Sequence, residues 1–163
     1  MEGLLRRVYS SKGLTRVLKI ASGACVIITL PAFALLIIKS FLISYVSVAA
    51  LLVITGVPFV AVSLMRKLLD LPRPYEIYDF YDTPPKERRG QSFPSRHVFS
   101  ISLIGTVAFG AYPLLGVALM ALTVILGAAR VLLGIHFIRD VIAGGLIGIV
   151  SGIIGLLVAS PFV

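Results

Sequence analysis

Charged side chains are absent from long parts of this chain and crowded into three short ones. Ile20 to Ile38 is nineteen residues without a charge, Phe41 to Met65 is twenty-five, Val98 to Ala129 is thirty-two and Val141 to Val163 is twenty-three. A helix of about 20 apolar residues crosses the hydrocarbon of a bilayer, so every one of these runs predicts spanning helix. The third is too long for one crossing, because as a single helix it extends about 48 Å against a hydrocarbon core of about 30 Å. Gly110-Ala111-Tyr112-Pro113 near its middle predicts a turn, which makes the run a hairpin of two rather short spans. The expected fold is an all-α integral membrane protein: one domain, residues 1–163, with five transmembrane helices in a bundle. Pro31 and Pro58 fall inside the first two spans and predict kinks that neighbouring helices accommodate. Gly144, Gly148 and Gly152 recur every four residues in the last span, a pattern for close helix packing with no chemical role.

The polar segments complete the plan. Residues 1–19 interleave Arg6, Arg7, Lys12, Arg16 and Lys19 with leucines and valines, which predicts a helix lying on the membrane surface with its cations toward headgroups. Residues 66–97 hold seven of the fifteen Lys and Arg, five of the seven acids and five of the nine prolines. Tyr75, Tyr78, Phe80 and Tyr81 suit the headgroup level, while Pro84-Pro85 and the Lys86–Gly90 run predict an irregular loop. The third segment is Arg130-Val-Leu-Leu-Gly134-Ile-His136-Phe-Ile-Arg139-Asp140.

With 58% hydrophobic and 13% charged residues and a mean hydropathy of +1.04, a soluble domain is excluded. The net charge of +8 then reports orientation and anionic headgroups, with no nucleic acid as partner. The single Cys25 lies in an apolar run and forms no internal disulfide, and the basic start without a small-residue cleavage site predicts no removable signal peptide. Five spans put all three polar segments on one side. Setting aside Arg66, Arg73, Arg96 and Arg130 as candidates for chemistry, ten cations remain there and Lys39 alone lies opposite, which places the polar face in the cytoplasm.

Three clusters meet at that face: Arg66-Lys67-Leu-Leu-Asp70-Leu-Pro72-Arg73-Pro74, then Pro94-Ser95-Arg96-His97, then Arg130 to Asp140. Ionisable groups at the lip of a span are costly and invite a functional reading. His136 and Asp140 are four apart, so on a helix the carboxylate stacks one turn from the imidazole and can hold its far nitrogen. The plainer reading is a helix-end cation beside a polar pair. No Cys/His or paired-carboxylate set has metal-ligand spacing. Guanidinium forks match phosphate oxygens. A carboxylate-backed histidine can act as nucleophile and a second histidine as the acid for a leaving oxygen, the combination that metal-free phosphoryl transfer requires.

In order and spacing the clusters resemble the type 2 phosphatidic acid phosphatase (PAP2) superfamily of membrane lipid phosphatases, whose pattern is Lys-x6-Arg-Pro, Pro-Ser-Gly-His and Ser-Arg-x5-His-x3-Asp. The chain matches at Arg73-Pro74, at Pro94-Ser95 and His97, and at Arg130, His136 and Asp140. It departs at Arg66, where the family has lysine and Lys67 is one position off. Arg96 stands for glycine, Ala129 stands for serine, and there are five spans where many bacterial relatives have six.

The resemblance implies that His136 attacks phosphorus and becomes phosphohistidine, Asp140 holds its other nitrogen, and His97 protonates the leaving oxygen and then activates water. Arg66, Arg73 and Arg130, with Ser95 and backbone N–H groups, hold the phosphate; Arg96 and Lys67 extend that set. No cofactor and no metal is implied. The substrate is a lipid phosphate or diphosphate, such as phosphatidate, phosphatidylglycerophosphate or a polyprenyl diphosphate, and the oligomeric state stays open. Two other readings remain: a phosphotransferase of the same fold, and a non-catalytic transporter or lipid-binding scaffold. A transport pathway calls for ionisable groups at mid-span, whereas these lie at span ends. Asp70, Arg139, Lys86, Arg88 and Arg89 read as interface charges.

Overall fold

A computed structural model describes residues 1–80 and 89–159. The predicted loop around Pro84-Pro85, with Tyr81, Lys86 and Arg88, and the last four residues of the final span lie outside the described residues. Among the described residues there are seven helices: α1 (Glu2–Ser10), α2 (Lys12–Ile43), α3 (Tyr45–Leu69), α4 (Pro74–Ile77), α5 (Arg96–Ala111), α6 (Pro113–Leu132) and α7 (Ile138–Ala159). Four of them, α2, α3, α6 and α7, are long and apolar enough to cross a membrane; α5, within the run expected to supply the third span, is apolar but shorter.

The N-terminal segment divides where residues 1–19 were expected to form one surface helix. Ser11 ends α1 and caps α2, its hydroxyl accepting from Leu14 N–H at 3.4 Å. Lys12, Arg16 and Lys19 therefore belong to the spanning helix. Its 32 residues extend about 48 Å, longer than a hydrocarbon core of about 30 Å. The amphipathic α1 does not rest on lipid alone. Leu5 and Val8 are buried, and the Tyr9 hydroxyl donates to the Leu133 carbonyl at 3.1 Å.

At the end away from the charged segments the turns are minimal. Ser44 alone joins α2 to α3 and caps α3 through Ser47 N–H at 3.0 Å. Tyr112 alone joins α5 to α6, and Pro113 opens α6 where its missing N–H costs nothing. The hairpin predicted from Gly110 to Pro113 thus turns at Tyr112.

Helix α5 is the axis and packs against α2, α3, α6 and α7. Leucine, isoleucine and valine face outward over much of the bundle (Leu42, Leu114 and Leu157 among them), while Ser22, Thr29, Ser47, Thr55, Ser102 and Thr106 are buried. Lipid is as apolar as leucine, so helices gain by placing small residues between them. Thr29, Thr55, Thr106 and Thr123 return their hydroxyls to the carbonyl four residues back. The α5–α7 seam is the tightest. A Cβ at Gly144 would come within 2.6 Å of the Ser95 carbonyl, at Gly148 within 2.6 Å of the Phe99 carbonyl, and at Gly152 within 2.6 Å of Thr106 Cβ. The glycine row seats α7 on the α5 backbone and fixes its first turn beside the start of α5.

Candidate active site

Arg66 occupies the last turn of α3 and Asp70 stops the helix in the left-handed region at φ 39°. One position apart on the helix turns a side chain by about 100°, and the outcome differs sharply: Arg66 is buried and Lys67 is exposed. Arg66 Nη1 donates to the carbonyls of Ser92, at 3.3 Å, and Pro94. Beyond the stop, Ser92 N–H donates to the Leu71 carbonyl at 2.9 Å, which brings the returning chain alongside. The buried Arg73 donates from Nε to the Gly90 carbonyl at 3.0 Å. Glu76 fastens the same junction, accepting from Arg73 N–H at 3.2 Å and Gly90 N–H at 2.8 Å. Both arginines are thus positioned by carbonyls of residues 90–94.

Ser95 precedes α5, and its N–H donates to the Asp140 carbonyl at 2.8 Å. Its buried hydroxyl has no hydrogen-bond partner among the described residues. His97, half-buried in the first turn, lies within electrostatic reach of Arg130, Arg96, His136 and Arg66. Arg96 points elsewhere. It is exposed, with its guanidinium carbon 5.6 Å from the centre of the Phe59 ring on α3. Of the expected phosphate ligands, Arg66, Arg73 and Ser95 gather around the 90–95 segment and Arg130 closes α6 beside it; Lys67 and Arg96 do not join them.

The turn from α6 to α7 supplies the remaining groups. Gly134 takes φ 62°, and a Cβ there would sit 2.4 Å from the Phe80 ring, so both backbone and space demand glycine. Ile135 and His136 N–H return to the Arg130 carbonyl at 3.0 and 3.3 Å. His136 lies in this turn, not on the helix with Asp140 as the four-residue spacing suggested; α7 begins two residues later, at Ile138. The pair still meets, with Nδ1 3.8 Å from Asp140 Oδ2. Asp140 is fully buried, its Oδ2 accepting from Phe137 N–H at 3.0 Å at the helix start. The exposed Arg139 approaches its other oxygen at 3.5 Å.

A residue that the sequence reading did not single out stands between them. The fully buried Ser92 hydroxyl donates to Asp140 Oδ2 at 2.5 Å and lies 3.5 Å from His136 Nδ1. With Nδ1 carrying the proton, Ser92 accepts from His136 while donating to Asp140, and this leaves Nε2 with a free lone pair. Burial pushes the His136 pKa below its ordinary value of 6.5, and Arg73 and Arg66 push the same way against the nearby Asp140 carboxylate. The only hint in the sequence was position, since Ser92 lies two residues before Pro94-Ser95. Among the described residues no three His, Cys, Asp or Glu side chains gather as metal ligands.

The family model of the PAP2 superfamily matches residues 41–161, which include all three clusters. The chain belongs to the PAP2 superfamily. As a PAP2-type protein it is a membrane-embedded phosphoric ester hydrolase. Two solved structures share the fold. The transmembrane PAP2 type phosphatidylglycerolphosphate phosphatase from Bacillus subtilis aligns with a TM-score of 0.72 at 18% identity, over 98% of this chain and 84% of that one. Aquifex aeolicus LpxE aligns with a TM-score of 0.69 at 23% identity, over 95% of this chain and 93% of that one. No curated protein sequence matches the chain.

Proposed function

We propose that this PAP2 protein removes phosphate from a membrane lipid phosphomonoester or diphosphate through a phosphohistidine. The observation that carries the reading is the buried His136 linked through Ser92 to Asp140, beside the buried Arg66 and Arg73. His136 Nε2 attacks phosphorus as the bond from phosphorus to the lipid oxygen breaks, and the leaving oxygen takes a proton from His97. The N–P bond of the intermediate is then cleaved by water, whose proton passes to His97, and phosphate departs with His136 restored. Arg66, Arg73 and Arg130, with the Ser95 hydroxyl, meet the phosphate oxygens as charge moves onto them. Guanidinium groups supply the positive charge, so the reading calls for no metal.

The candidate substrates are phosphatidate, phosphatidylglycerophosphate and polyprenyl diphosphate. The two structural neighbours, one of them named as a phosphatidylglycerolphosphate phosphatase, favour a lipid headgroup. The excess of cations at the catalytic end favours a cytoplasmic site. Phosphate release by the purified protein in detergent, with a chelator present and beside His136→Ala, tests the reading. Turnover that survives the chelator and disappears in the variant is expected; a His136→Ala protein as active as the parent overturns it.

A further inference from the structure

Helix α7 is seated on α5 but parts from α6. Val141 Cγ1 presses on Gly127, 2.6 Å from where a Cβ would be, and around that contact a groove opens toward the lipid. Its volume is about 620 Å³, and α5 forms its floor through Val98 and Ser102. The walls run from Leu132 to Met120 on α6 and from Ile138 to Ile149 on α7. Ser102 presents little polarity, since its hydroxyl donates to the Gly145 carbonyl at 2.7 Å.

Two features point to an occupant. The groove starts at the catalytic residues: Val98 follows His97, Val131 follows Arg130, and Val141 follows Asp140. Its length also matches a lipid. From Leu132 to Met120 the wall descends about 18 Å along the helix, close to half of a hydrocarbon core of about 30 Å. Cavities of about 310 and 290 Å³ lie elsewhere, one against α2 and α3 and the other at the opposite end beside Lys39.

We propose that the α6–α7 groove binds one acyl tail of the substrate, and so selects a lipid phosphate whose chains are one leaflet long. This rests on the phosphatase reading. A tail laid between Val131 and Ile142 leaves its headgroup at the turn that carries His136, which converts hydrocarbon burial into position at phosphorus. A polyprenyl tail much longer than a leaflet would overrun the far end of the groove at Met120 and Ile149.

Ala128 is exposed in the groove wall, and Ala128→Phe fills the space; Ile125→Phe, on α6 outside the groove, adds the same ring facing lipid. Phosphate release is measured on phosphatidates of increasing acyl length in mixed micelles. The parent and Ile125→Phe are expected to gain kcat/KM with length up to a full leaflet and then level off. Ala128→Phe is expected to lose about tenfold in long-chain kcat/KM while short-chain turnover stays within about twofold, a split that a folding defect does not produce. Equal loss on every chain, or no loss on any, overturns the proposal. A phosphatidate with a photoreactive group on its tail separates the two readings. Cross-links to residues 120–149 in the parent that vanish in Ala128→Phe support the groove even if no phosphate is released, in which case the hydrolase reading falls alone. Phosphate release with cross-links confined to α2 and α3 removes the groove and leaves the hydrolase.

Discussion

The two ends of the bundle are built to different rules. Away from the site, α2 meets α3 through Ser44 and α5 meets α6 through Tyr112, one residue each, and the charge there is Lys39, stacked 5.3 Å from the Tyr112 ring. At the other end the last turn of α3 with the α3–α5 and α6–α7 connections holds two arginines, two serines and a histidine in buried positions tied by carbonyl contacts. Short turns suffice to reverse a helix. Burying charge at a membrane surface takes extra chain, because every guanidinium needs acceptors that a helix has already used. The difference predicts that substitutions at the catalytic end act on turnover and those at the far end act on stability.

The largest effect is expected for His136→Ala, which should lower kcat by roughly 10⁴-fold or more in detergent phosphate release with the helical signal retained. Arg66→Ala should follow, with about 10²- to 10³-fold lost from kcat/KM and a lower Tm, since it removes both a phosphate ligand and the bonds to Ser92 and Pro94. The pH profile sharpens the picture. With the His136 pKa lowered, the acidic limb of kcat/KM should lie below pH 6.5. Asp140 opposes that lowering, so Asp140→Asn should move the limb further to acid while reducing kcat. Arg96→Gly, which restores the family's residue, should change kcat by less than about threefold, because the exposed guanidinium lies over Phe59. Smallest is Ser44→Ala at the far end: about 1 kcal/mol of stability from the lost cap, read as a lower Tm, with kcat unchanged.

Much of this was legible in the sequence because of what a membrane demands. Uncharged runs predicted the spans, Gly110 to Pro113 predicted the hairpin, and the glycine row predicted close packing of the last helix, with α5 as its partner visible only in the fold. Arginine, histidine and aspartate announce themselves at a span end because they are costly there. Ser92 did not, since a serine costs little anywhere and its role comes from a fold-back that sets it against Asp140. Spacing placed His136 and Asp140 together correctly but for a helical reason that does not apply; the turn after Gly134 makes the contact instead. Arg96 and Lys67 are the right residue type in the right segment, and only side-chain direction separates them from Arg66. The split at Ser11 turned on one hydroxyl cap inside a run of cations.

Helix α5 has 16 residues and so extends about 24 Å, while its neighbours α6 and α7 have 20 and 22. From the Tyr112 turn that joins them, α6 runs further along the bundle than α5 does. The proposed lipid substrate lies in the same bilayer as these helices. Encounter then occurs in two dimensions. Rate should track the mole fraction of substrate in the micelle or vesicle, and diluting the surface with inert detergent should slow turnover even when the bulk concentration of lipid is held constant.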